Sequence, residues 1–104
     1  MEIIPRYRLL LTYDLRDDAQ DKYYRYMMAE FIPAVQEMGV YMYTAWHTTY
    51  GNYPDRQIEL VTDSDQAIIT LLTSEKWQEL ETKLKDYVHN YNRKLVHFRR
   101  GFQL

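Results

Sequence analysis

Glu59 is the residue that most demands a chemical reason. It stands between Ile58 and Leu60 in the run RQIELVT, an apolar, β-branched segment that reads as a strand, and a carboxylate inside a sheet must be paired. Arg8, in the strand-like run YRLLLTYDL, can lie on the same face of a neighbouring strand, where a guanidinium–carboxylate pair satisfies both groups. Two roles stay open for the pair. It is a structural ion pair, or it anchors an anion or carbonyl beside a base.

The histidines are His47, His89 and His97. None is three or four residues from another, so no metal-binding pair on a helix exists and no metal is expected. His47 and His97 fall in strand-like segments and, if turned to a cavity near Glu59, would carry protons; the alternative is a hydrogen-bonded histidine near a sheet edge. His89 falls late in a helical pattern, where a cation complements the helix dipole. Thr12, Tyr41, Tyr43, Trp46 and Tyr50 complete a candidate pocket for a flat, partly polar molecule, or else an interface, where Tyr and Trp are equally at home. Glu59, His47 and Arg8 are the catalytic candidates within it.

These side chains need elements to hold them. Residues 7–15 predict a first strand centred on Leu9, Leu10 and Leu11, and Asp17 with Gln20 has the spacing of a helix start. Tyr24, Met27, Met28, Phe31, Val35 and Met38 then recur at helical spacing up to Gly39, with a break after Glu30 expected from Pro33. Residues 40–50 and 56–62 predict a hairpin around Gly51, Asn52, Pro54 and Asp55. Asp63 and Gln66 suggest another helix start, and a fresh one follows at Ser74. From there Trp77, Leu80, Leu84, Tyr87, Val88 and Tyr91 fall on one face of a long amphipathic helix. A last strand is predicted over 94–103, with Val96, Phe98 and Phe102 alternating against His97 and Arg99.

Strand, helix, strand, strand, split helix, strand is the ferredoxin-like βαββαβ plan, an α+β class with an antiparallel sheet and its helices on one face. The opposite face would carry Arg8, Leu10, Thr12, Gln57, Glu59 and Val61, a mixture of charge and hydrophobe that water alone does not suit. A second copy of the same sheet is the simplest cover. The expected assembly is therefore a homodimer that closes two sheets into an α/β barrel around an interior able to hold a small organic ligand.

The chain of 104 residues is expected to be a single domain over 1–104. Its net charge of −2, from 13 basic and 15 acidic side chains, creates no field for nucleic acid or an anionic membrane. The absence of cysteine excludes disulfides, thiolate catalysis and cysteine zinc sites. Leu9 to Leu11 is the longest clean apolar run near the N-terminus, far short of a signal core or a membrane span, so the expectation is a soluble, unprocessed, cytoplasmic protein. RNA-binding domains share the topology, but their aromatic third strand is replaced here by RQIELVT, with Glu59 and no aromatic residue. Tyrosine is the compositional oddity, with 11 against 3 phenylalanines and 2 tryptophans.

The element order, the stretch GVYMYTAWHTTYG (39–51) with its tryptophan on the second strand, the helix start SEKW (74–77) and the ending 94–104 resemble the dimeric α/β-barrel superfamily, and within it NIPSNAP-like proteins. That resemblance implies a fold far more narrowly than a reaction. Its barrel is shared by cofactor-independent monooxygenases of the antibiotic-biosynthesis type, haem-degrading enzymes, lactone isomerases and binding proteins with no known activity. A cofactor-independent monooxygenase or isomerase acting on an aromatic or polyketide-like compound is one implied role, and a non-catalytic regulatory module another. No cofactor is expected. Haem is the alternative, since haem-degrading relatives place a histidine on a late helix, which would make His89 the axial ligand. Those relatives also use an asparagine on the first strand, and residues 7–15 contain none.

Overall fold

The computed structural model describes residues 6–47 and 56–97. Within them the strands β1 (Tyr7–Leu15), β2 (Tyr41–His47), β3 (Arg56–Thr62) and β4 (Val88–His97) make one antiparallel sheet in the order β2-β3-β1-β4. The expected ferredoxin-like α+β plan is the one found. Along β1 burial alternates with the pleat: Leu9, Leu11, Tyr13 and Leu15 enter the core, and Arg8, Leu10, Thr12 and Asp14 face the other way.

Between β1 and β2 the chain makes a 3-10 turn (Asp17–Ala19), α1 (Gln20–Tyr26), a π-helical turn (Met27–Phe31) and α2 (Ile32–Glu37). Two expectations change here. No side chain caps the start, so the spacing of Asp17 and Gln20 produces a 3-10 turn and no capping box. Pro33 does not break the helix either. It falls in the first turn of α2, and the widened turn before it absorbs a proline that can donate no backbone hydrogen bond. Gly39 ends the run at φ +83°, where a Cβ would also meet the Cβ of Ala67 at 3.3 Å.

Beyond β3 come α3 (Asp65–Thr73) and α4 (Glu75–Lys85). Serines cap both: Ser64 Oγ accepts from Ala67 N and Ser74 Oγ from Trp77 N, each at 3.0 Å. Ser64 therefore takes the place expected of Asp63. Trp77, Leu80 and Leu84 turn from α4 into a core that also holds Leu9, Leu11, Phe31, Val35, Leu60 and Leu71. Each such side chain contributes about 1.5–3 kcal/mol by leaving water.

The last helix stops at Lys85, short of its expected end at Tyr91, and β4 begins at Val88 rather than Lys94. Val88 pairs with Leu15, and Arg16 N donates to Tyr87 O at 3.0 Å. A bulge then intervenes, with Asn90 at φ +56°, after which Tyr91 stacks on Tyr13 and Asn92 pairs with Thr12. One inserted residue breaks the period of two, and the resulting pattern imitates a helix. Residues 98–103 of the expected strand lie outside the described residues. No helix among the described residues is long and apolar enough to cross a membrane.

Candidate functional site

The register arranges the sheet face away from the core in rows. Tyr41, Val61, Arg8 and Val96 make the first; Thr44, Glu59, Leu10 and Lys94 the second; Trp46, Gln57, Thr12 and Asn92 the third; Asp14 opposite His89 the last. Arg8 and Glu59 are diagonal neighbours, and Arg8 Nε lies 3.1 Å from Glu59 Oε2. The Glu59 side chain is only 12% exposed and that of Arg8 33%. This is a half-buried charge pair set beside Leu10 and Val61, and it is strengthened by partial exclusion of water. Tyr41 is partly exposed and Tyr43 is 62% exposed. Tyr43 occupies a second bulge, between the pairs of Met42 with Leu60 and Thr44 with Glu59.

The histidines are not gathered around this pair. Past the β2 bulge, His47 pairs opposite Arg56, in the row of Tyr13, whereas Trp46 shares the row of Gln57 and Thr12. His97 pairs with Tyr7 and stacks on its ring at 4.6 Å between centroids, in a row belonging to the helix side. A hydrogen bond to Asp65 holds the Tyr7 hydroxyl above the ordinary phenol value. Register thus separates both His47 and His97 from the row of Glu59. His89, expected on a helix, stands on β4 beside Asn90, whose Nδ2 donates to Asp14 Oδ2 at 2.8 Å. A helix-borne axial ligand for haem is therefore not what this chain provides. Tyr50 lies outside the described residues.

Sequence reasoning missed the Asp14, His89 and Asn90 cluster because it depends on the β4 bulge. An asparagine near the end of the helical pattern, a residue type tolerant of φ above zero, was the available signal. The surface cleft lined by Glu75, Gln78, Glu79, Thr82, Lys83 and Asp86 joins none of the residues singled out from the sequence. No group of three or more metal-ligating side chains occurs among the described residues.

No family profile matches the chain, and no curated protein matches it. Solved structures do. A NIPSNAP family protein from Agrobacterium tumefaciens is similar at a TM-score of 0.64 and 14% identity, over 94% of this chain and 97% of that one. A conserved protein of unknown function from Bacteroides thetaiotaomicron, described as a possible oxidoreductase, aligns at a TM-score of 0.67 and 10% identity, over 88% and 96%. A dimeric protein of unknown function and ferredoxin-like fold from Bacteroides fragilis aligns at 0.55 and 12%, over 93% and 100%. At these identities the likeness is one of fold, and the fold is the one the NIPSNAP-like resemblance implied.

Proposed function

We propose that the chain works as a homodimer whose open sheet faces close on one another around a cavity that binds a small, flat, partly polar organic molecule. The observation that carries the reading is the Arg8–Glu59 pair, half-buried on the sheet face away from the core. Leu10, Val61 and Val96 supply apolar wall; Thr12, Gln57 and Asn92 supply hydrogen-bonding groups. In this reading Arg8 holds a carbonyl or anionic oxygen of the ligand, and Glu59 keeps Arg8 in place or takes a proton. An aromatic or polyketide-like compound has the matching shape, and oxygenation or isomerisation without a cofactor is the reaction class assigned. A dimeric neighbour and one described as a possible oxidoreductase support the reading at the level of fold.

The competing reading is an assembly module, in which the same face is packed solid. One experiment separates them. Sedimentation equilibrium and native mass spectrometry are run on the wild type and on Leu10→Lys, and the small molecule retained by the dimer is compared with that retained by Glu59→Gln. A dimer that dissociates in Leu10→Lys, and a ligand lost from Glu59→Gln without loss of the dimer, are expected. A well-folded wild-type monomer at micromolar concentration would remove both readings. If the double replacement Arg8→Met, Glu59→Leu tightened a ligand-free dimer, assembly alone would be the role, because a buried ion pair is often exceeded by well-packed hydrophobes.

A further inference from the structure

The excess of tyrosine has its densest expression on the helix side of the sheet, away from the proposed ligand cavity. Four rings follow one another there. Tyr24 lies 5.2 Å from Tyr23 between centroids, Tyr23 5.9 Å from Tyr13, and Tyr13 6.3 Å from Tyr91. Tyr24 is half exposed, whereas Tyr23 and Tyr13 are buried. The Tyr13 and Tyr23 hydroxyls share a hydrogen bond of 2.5 Å, either oxygen being able to donate. At one end Arg56 Nη2 donates to the Tyr24 hydroxyl at 2.8 Å. At the other the Tyr91 hydroxyl donates to Glu81 Oε2 at 2.7 Å, and Arg93 Nη1 holds the same oxygen at 3.0 Å.

Plain packing would be served by phenylalanine or leucine at Tyr13 and Tyr23, with no hydroxyls to satisfy. We propose that Tyr24, Tyr23, Tyr13 and Tyr91 form a relay that accepts a one-electron oxidising equivalent at the surface and delivers it through the core to Tyr91, with Glu81 as the terminal proton acceptor. A one-electron oxidant takes an electron from Tyr24, whose phenolic proton leaves to water. An electron then passes from Tyr91 through Tyr13 and Tyr23 to the Tyr24 radical, which recovers a proton from water. Tyr91 ends as the phenoxyl radical with its proton on Glu81, and the two central tyrosines are unchanged. Between those two, the shared hydrogen bond lets a proton shift as the electron passes, which avoids a net charge in the core. Burial pushes the Tyr13 hydroxyl far above the ordinary phenol range, so the pair stays neutral at rest.

The test uses photogenerated ruthenium(III) tris-bipyridyl as the soluble oxidant, peptide mass mapping of oxidised tyrosines, and the tyrosyl signal in electron paramagnetic resonance. In the wild type Tyr24 and Tyr91 are both expected to be modified. Tyr23→Phe should cut Tyr91 modification several-fold while Tyr24 and the exposed Tyr43 react as before. Glu81→Gln should have the same effect on Tyr91. Tyr24→Phe, at a half-exposed ring outside the buried core, must also protect Tyr91, which keeps the proposal exposed should a core variant lose its near-ultraviolet circular dichroism. Equal Tyr91 modification in Tyr24→Phe or Tyr23→Phe would mean direct attack from solvent and would overturn the relay, as would an unmodified Tyr91 in the wild type. This test is independent of the ligand cavity.

Discussion

The two faces of the same sheet solve the problem of burial differently. On the helix side Leu9, Leu11, Tyr13, Ile58 and Leu60 are at most 3% exposed and share one core with Tyr23, Phe31, Val35, Leu71 and Trp77 from the helical segments. On the other side Arg8, Leu10, Thr12, Gln57 and Glu59 are all of intermediate exposure, and Val61 alone is buried. One face is completed by its own chain. The other holds apolar groups and a charge pair in a setting neither wet nor dry, as the proposed second copy would require.

The sharpest way to break that contrast is to truncate one leucine on each face. Leu60→Ala should cost about 2–5 kcal/mol, read from urea unfolding, because the cavity cannot collapse among rigid neighbours. Leu10→Ala should cost far less, and under the proposed dimer its effect should grow with protein concentration, since a second copy would complete the burial of Leu10. Equal, concentration-independent losses would erase the distinction between the faces.

A second contrast is in alkali. Burial is the leading cause that raises the hydroxyls of Tyr13, Tyr23, Tyr26 and Tyr91 above the phenol value of 10.0, all of them on the helix side. A raised folded value means the folded chain favours the protonated phenol. Its contribution is therefore fully present below pH 10.0, the unfolded value, and is lost as pH rises beyond it toward the folded values. The urea midpoint should fall steeply above that pH, and phenolate absorbance from these four should appear in one cooperative step with loss of helix. Smooth, independent ionisation at constant fold would show that the helix-side face is not closed.

The smallest effect concerns how the helices are held over that face. Ser74→Ala removes the oxygen that caps α4 through Trp77 N and should cost about 1 kcal/mol in urea unfolding. The equilibrium of the proposed dimer should not move, because Ser74 starts a helix on the side away from the open face.

Much of this contrast was legible beforehand. The bounds of β1 and the alternation of Leu9, Leu11, Ile58 and Leu60 against Arg8, Leu10, Gln57 and Glu59 follow from a period of two, and so did the pairing of Arg8 with Glu59. The histidines were not legible. A bulge between Met42 and Thr44 inverts which face His47 belongs to, and the bulge at Asn90 turns what reads as a helix end into the start of β4. Side-chain parity is lost at an inserted residue; the residue type of Asn90 is a local cue to one insertion, and nothing local marks the other. The tyrosines misled in another way: Tyr41, Tyr43 and Tyr50 drew attention to the hairpin, while a direct hydroxyl–hydroxyl bond joined Tyr13 to Tyr23 across elements.

The sequence by itself determined the class of fold, the order of its elements and the existence of a face that its own helices would leave uncovered, because those depend on periodicity and connection rules that act over short stretches. Beyond the Arg8–Glu59 pair, tertiary structure decided which titratable groups meet. Register, two bulges and a π-helical turn are set by long-range packing, and each moves a side chain to a neighbour that no local pattern specifies.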